Sequence, residues 1–452
     1  MSSITALTLL TAGAACDPRD DGGPRSNLTA EQAATARTSC TFKSGTLPGL
    51  SLAKDAPLGS QIPIDNIVIV MLENRAFDHL FSQLSRAGQN DVTAAADDAT
   101  NPDAQGAAVS RFHQTELCFT DTDHGWTPAH IQWNGGKNDG FVTTNDGAVD
   151  DATGRRAMGY YDATDLPYHY GLATTFAIAD HYHSSVLGPT FPNSFYLYSA
   201  TSFGMVINLP AAGKVPNIFD ALDQAKVPWQ VFTNSLPRSG LLVEQYFRHL
   251  GSTGNYGKFA DFVTTARQGK LAPVVYVDPT FLPDDVPHED EHPPSDIQLG
   301  EGFLSQVVDA LRTSPQWPHT ALFITWDENG GLYDHVAPPP ACPPGDLAAQ
   351  VPPGESQADF DRYGFRVPLI VVSPYAKPHY VGHRVYDHSS ILRFVEARFR
   401  LPAFTGRDAN AEPPFDLFDF SRPQLLNPPA LPAPALDQAK LADCEARYGS
   451  TQ

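Results

Sequence analysis

The sequence predicts a layered α/β fold around a mainly parallel sheet. Three observations carry that prediction: five apolar runs rich in β-branched residues, helical periodicity between them, and abrupt polar stops where two runs end. A strand buried on both faces reads as a continuous apolar run, whereas a half-exposed one alternates. Continuous runs lie at Ile64–Leu72 (IDNIVIVML), Val227–Thr233 (VPWQVFT), Ala272–Asp278 (APVVYVD), Thr320–Trp326 (TALFITW) and Val367–Ser373 (VPLIVVS). Apolar residues return at three- and four-residue steps in Gly300–Ser314 and Ser389–Arg400, which therefore read as helices, and a further helix is expected from about Asn193. Strands and helices that alternate call for right-handed crossover connections.

Composition narrows the function. A chain of 452 residues with 42% hydrophobic and 10% aromatic content can bury a large core. Its 30 Lys and Arg against 51 Asp and Glu leave a net charge of -21, which excludes a nucleic-acid backbone or an anionic membrane surface as the main partner. No stretch reaches the roughly 18 to 20 apolar residues of a membrane span. The 40 prolines cluster in APPPACPPGD, VPPGE and NPPALPAPAL, and predict long ordered loops over the core. The organisation expected is an export or lipoprotein-like N-terminus and polar tail over 1–61, a catalytic domain over 62–401, and a Pro-rich C-terminal arm over 402–452 packed on the core. In MSSITALTLLTAGAACDPRDDGG a short apolar run ends in small residues and Cys16, as in a lipoprotein signal with Cys16 as its lipid anchor, so the protein is expected to be exported. Cys40, Cys118, Cys342 and Cys444 then form two disulfides, with three pairings open.

The polar stops suggest chemistry. In open α/β sheets ligands bind beyond the carboxyl ends of the strands. Two runs deliver acids there: Glu73 and Asn74 in MLENRAFDH, Asp327 and Glu328 in TWDENGG. Three carboxylates and an amide sharing one rim repel one another unless a cation holds them, and oxygen-only donors suit one hard divalent ion, with Ca, Mg and Zn not distinguished. Gly330 and Gly331 allow the chain to turn away sharply behind them. Thr190, in a Gly-Pro-Thr turn before a helix, is either a nucleophile beside an anion-holding helix start or an ordinary N-cap.

The ordered set ENRAFDH, DHYHSSVLGPTFPNSFYLYSAT, EHPPSDI, TWDENGGLYDHVAPPP, FRVPLIVVSPYAK and YDHSSILRFVEARF resembles the bacterial phosphoesterase family of non-zinc-type phospholipases C and related acid phosphatases. The resemblance implies an alkaline phosphatase-like three-layer sandwich with helices on both faces of the sheet. It implies Thr190 as nucleophile, and a metal held by Glu73, Asn74, Asp327, Glu328 and the Thr190 oxygen. His124 and His292 match histidines that contact the transferred phosphoryl group and the leaving oxygen; His335 and His388 are expected in supporting places. Ala76 and Ser194 depart from the pattern, the latter where many phospholipases carry arginine after PN, so one contact to the phosphate or the leaving group is expected to be missing. The activity implied is hydrolysis of a phosphate ester or phospholipid through a phosphothreonine intermediate. Charge counting adds that a phosphate dianion needs imidazolium help at this site, which favours acidic pH for monoesters. The competing expectation is a non-catalytic exported metal-binding surface protein of the same fold.

Overall fold

The computed structural model describes residues 22–147, 151–251, 254–281 and 288–449. Cys16 and the signal-like segment lie outside them. Eight strands form the main sheet: β1 (Asn66–Leu72), β2 (Ala177–Ala179), β3 (Trp229–Phe232), β4 (Tyr256–Gly257), β5 (Val274–Val277), β6 (Thr320–Trp326), β7 (Leu369–Val372) and β8 (Tyr380–Gly382). Their order is β8-β2-β7-β6-β1-β5-β3-β4. All five expected runs are strands, and every residue of the central pair β1 and β6 is buried. All but β7 run the same way. The reversal of β7 has a local cause. The Pro-rich connection 327–368 contains no helix to carry the chain back across the sheet, so the next strand starts at the rim where β6 ended.

Six helices matter to the argument: α1 (Ala30–Thr38), α2 (Pro167–Thr175), α3 (Thr190–Ser199), α4 (Ile297–Arg312), α5 (His388–Phe399) and α6 (Gln438–Tyr448). Side chains three apart on a strand point to opposite faces, and β6 shows what covers each. The Phe323 ring meets Phe394 of α5 at 5.1 Å. Trp326 Nε1 donates to Glu291 Oε2 at 2.9 Å, and His169 of α2 lies 2.8 Å from Glu291 Oε1 and 3.2 Å from Glu301 of α4. Helices therefore cover both faces, with α3 packed on α5.

The flanking segments are tied to this core. Cys40–Cys342 and Cys118–Cys444 are the two disulfides, so the pairing left open by the sequence is settled, over separations of 302 and 326 residues. Cross-links closing loops of that size stabilise a fold by roughly 2–5 kcal/mol each. Near the first, Phe42 N–H donates to Asn410 Oδ1 at 3.0 Å and Arg37 of α1 pairs with Glu412. Near the second, Lys440 Nζ on α6 donates to Thr115 O at 2.7 Å. Among the described residues no helix is long and apolar enough to cross a membrane.

Candidate active site

Register places the acids. β1 and β6 are parallel neighbours with Leu72 opposite Trp326, so the residues that follow leave the sheet side by side. Asp327 N–H donates to Leu72 O at 3.0 Å, and Asn74 N–H donates to Asp327 Oδ1 at 3.0 Å. Asn74 adopts φ +59°, a left-handed conformation that asparagine tolerates better than any larger residue. The glycines behind the acids allow close approach as well as a turn. A Cβ on Gly330 would fall 2.5 Å from the Asn74 carbonyl oxygen, and one on Gly331 would fall 2.4 Å from that of Asp123. The loop after β6 is thereby pressed against both Asn74 and the segment carrying His124.

Three charged residues that sequence reasoning passed over join this rim. Asp278 directly follows β5, Arg238 lies in the segment after β3, and Asp290 precedes His292. Arg238 N–H donates to Asp278 Oδ2 at 2.8 Å. Its guanidinium donates to Glu73 Oε1 at 2.7 Å and to Ser194 Oγ at 3.0 Å, and lies 3.8 Å from Asp327 Oδ2. Glu73 N–H donates to the Asp290 carbonyl at 2.8 Å. A guanidinium does stand beside Ser194, delivered from the segment after β3, but it is fully buried and bonded to Glu73 and Ser194. Asp278 carried a visible signal, since its apolar run ends on it; Arg238, in the loop NSLPRSGLL, carried none.

Five buried carboxyls thus gather at this rim, with the Arg238 guanidinium paired to Glu73 and Asp327. Burial, with the Glu73 charge, pushes Asp327 up to about 6 against the opposing pull of Arg238. Burial pushes Asp278 up to about 6, and holds Glu328 and Asp290 well above the usual carboxylate range. Asn74 Oδ1, Asp327 Oδ2 and Glu328 Oε1 are buried with no hydrogen-bond partner. Orphaned buried oxygens are costly, and three of them on adjacent strand ends fit a hard divalent cation. The donor types suit the metal that the chemistry implies, although Glu73, Asp327 and Glu328 do not all bring their ligand atoms within 4.8 Å of one another.

The histidines converge on the same place. Asn74 Nδ2 lies 3.4 Å from both ring nitrogens of His124, and the His124 and His292 rings are 5.6 Å apart. With Asp121 they bring ligand atoms within 4.8 Å of one another. Burial works against the His124 charge, but Glu328 and Asp121 outweigh it and raise the imidazole to about 10. His292 Nδ1–H donates to Pro293 O at 2.5 Å. His388 sits behind the rim: its Nε2–H donates to the Asp327 carbonyl at 2.6 Å, Tyr182 O–H donates to its Nδ1 at 2.9 Å, and burial lowers it to about 4. His335 belongs to a separate cluster with Asp78, 2.6 Å away.

Thr190 is the first residue of α3, and Pro189 is its cap, so the N-cap reading of Thr190 does not hold. Pro189 lines a cleft together with His124, Asp121, Asn145 and Arg156. The Arg156 guanidinium donates to carbonyls, among them Asn145 O at 2.6 Å, and lies 3.8 Å from Asp151 Oδ2, which also accepts the Arg156 backbone N–H at 2.6 Å; it brings a partly paired cation to that cleft. The helix start itself offers little to an anion, since the Phe191 N–H is taken by Asn208 Oδ1 at 2.8 Å and Pro192 has none. Ser194, one turn beyond Thr190 along α3, reaches the rim through Arg238, and Pro189 just before Thr190 lines the cleft with His124.

Acids raised by burial and mutual repulsion, set on the carboxyl rim of an α/β sheet beside imidazole and guanidinium groups, equip a hydrolase for a charged ester. That class becomes a family on comparison with known proteins. The chain belongs to the phosphoesterase family, whose model matches residues 64–402. It is 33% identical over 486 aligned residues to phospholipase C B of Mycobacterium tuberculosis, covering 94% of this chain and 91% of that one. It is 31% identical to non-specific phospholipase C6 of Arabidopsis thaliana, covering 77% and 71%. A solved alkaline phosphatase superfamily protein from Vibrio parahaemolyticus matches at a TM-score of 0.39 and 9% identity, over 84% of this chain and 78% of that one. The protein is a hydrolase acting on phosphoester bonds.

Proposed function

We propose that this protein is an exported phosphoric ester hydrolase of the phospholipase C type, dependent on one divalent cation, with Thr190 as its nucleophile. The observation that carries the reading is the trio of unpartnered buried oxygens on Asn74, Asp327 and Glu328, with the Asn74 N–H bound to Asp327 Oδ1. A cation bound by Glu73, Asn74, Asp327, Glu328 and the Thr190 oxygen would offset most of the rim's negative charge and favour the alkoxide. Thr190 Oγ1 attacks phosphorus in line and forms a phosphothreonine while the alcohol departs. His292 or His124, both beside the rim, gives that alkoxide a proton. Water then attacks the phosphothreonine and restores the hydroxyl. Arg156 and His124 supply positive charge where the phosphate enters. A diester carries one negative charge and a monoester two, so an acid-lined rim is less hostile to the diester. The phospholipase C relatives support the same choice over an acid phosphatase. The two disulfides support export, because such bonds persist in oxidising compartments.

The test pairs a choline phospholipid with p-nitrophenyl phosphate, before and after chelation and add-back of calcium, magnesium or zinc. The lipid is expected to be the better substrate, with activity lost and recovered. Thr190→Ala is expected to lower kcat by roughly 10³-fold or more, and acid-quenched wild type to carry phosphate on Thr190 by mass spectrometry. A Thr190→Ala enzyme within tenfold of wild type would remove Thr190 as the nucleophile, and wild type inactive on both esters while still binding the cation would instead favour the metal-binding surface protein.

A further inference from the structure

We propose that Arg238 is a positioning residue: it holds Glu73 and Asp327 at the separation a divalent cation requires and, through Ser194, fixes the helix that begins at Thr190. The inference rests on the reading that these acids hold a cation. Arg238 is fully buried, and among the described residues the ion pairs to Glu73 and Asp327 both come from its guanidinium. Its two terminal nitrogens divide the work. Nη2 donates to Glu73 Oε1 at 2.7 Å, while Nη1 donates to Ser194 Oγ at 3.0 Å and lies 3.8 Å from Asp327 Oδ2.

The geometry separates two functions that a single charge could not perform. Toward the acids, the guanidinium offsets repulsion without using up the oxygens: it hydrogen-bonds one oxygen of Glu73 and stands off Asp327 Oδ2, which has no hydrogen-bond partner. Toward α3, it anchors a side chain one turn beyond Thr190, so the hydroxyl and the acid rim are referred to one rigid planar group. Lysine cannot do this, because an ammonium is a point charge on a flexible stem and lacks the fixed fork that spans two partners. The backbone keeps the fork in place, since Arg238 N–H is bound to Asp278 at the end of β5 and the Phe281 ring lies 5.1 Å from the guanidinium carbon.

The experiment uses the full chain, stripped by chelation and titrated with calcium, magnesium or zinc alone in a calorimeter, alongside circular dichroism and steady-state kinetics. R238K is expected to fold and to bind the cation roughly 10–100-fold more weakly, as partners that orient metal ligands typically do when lost. S194A is expected to keep the cation Kd within about threefold while kcat falls about tenfold at unchanged KM, a loss of transition-state alignment without loss of ligand binding. An R238K chain that binds the cation as tightly as wild type, an R238K chain that does not fold, or an S194A enzyme with unchanged kcat each overturns the proposal. Wild type that binds no divalent cation is a different failure: it removes the proposed function itself.

Discussion

The loop after β6 carries two buried acidic clusters a few residues apart, and they are built from the same parts. Asp78 and Asp334 face Arg366 and His335; Glu73, Asp327 and Glu328 face Arg238 and His124. In the first cluster Arg366 Nε and Nη2 donate to both Asp334 oxygens at 2.8 and 3.0 Å, and Nη2 lies 3.2 Å from Asp78 Oδ1. Asp78 Oδ2 accepts from His335 N–H at 2.8 Å and Nδ1–H at 2.6 Å, and Ala95 N–H donates to Asp78 Oδ1 at 2.8 Å. Every carboxylate oxygen there is satisfied. In the second, Asp327 Oδ2 and Glu328 Oε1 are not, and Asn74 Oδ1 joins them. The tight grouping of Asp78, Asp334 and His335 could hold an ion on distance alone. The contrast teaches that two clusters of the same residue types differ in how much acceptor capacity the protein itself fills: one is closed and the other is left open.

The largest effect that tests this contrast is Asp334→Asn. It leaves Arg366 with a broken fork in a fully buried place, and is expected to cost about 3 kcal/mol in chemical denaturation; a change below 1 kcal/mol would mean the closed cluster is not structural. Next comes cation loading. At a hundredfold excess over Kd it is expected to add about 2.7 kcal/mol of stability in wild type and none in Asp327→Asn, whereas an equal gain in both would locate the ion elsewhere. Smaller, and opposite in sign to Asp334→Asn, is Glu328→Gln in the cation-free protein: removing one repelling carboxylate is expected to raise stability by about 1 kcal/mol while abolishing the cation's effect.

The smallest effect is the pH dependence of the closed cluster. Burial opposes the Asp78 charge, but Arg366 and His335 outweigh it and hold this carboxyl well below its ordinary range. Burial likewise opposes the His335 charge, which its bond to Asp78 raises. A lowered acid contributes stability fully above its unfolded value of about 3.9 and loses it as pH falls toward the folded one. A raised histidine contributes fully below about 6.5 and loses it as pH rises through the folded one. The pair is therefore strongest between about pH 4 and 6.5, and His335→Gln is expected to flatten the alkaline side of a Tm–pH curve. An unchanged curve would remove His335 from the cluster.

Much of the rim was legible because its signals are local. Glu73, Asn74, Asp327 and Glu328 each follow an apolar run directly, and the end of such a run in a parallel sheet marks the rim where ligands bind. Asp278 follows its apolar run in the same way, as a single acid with no second polar residue beside it to mark a site. The short strands β2, β4 and β8 were missed for want of length, since two or three residues make no period. The α3 start came out at Thr190 and not Asn193, because Pro192 sits within the first turn, where a missing N–H costs nothing.

The amino-acid order by itself determined the strand cores, the helix faces and the acids at two strand ends, because burial and turn chemistry act over a few neighbouring residues. The tertiary structure alone decided that Arg238 stands between Glu73 and Ser194, that Asp290 joins the rim, that β7 runs backwards and that Cys40 pairs with Cys342 and Cys118 with Cys444. Glu73 and Arg238 are 165 positions apart. Strand order and loop closure choose among such distant partners, and neither leaves a mark on the residues that end up touching.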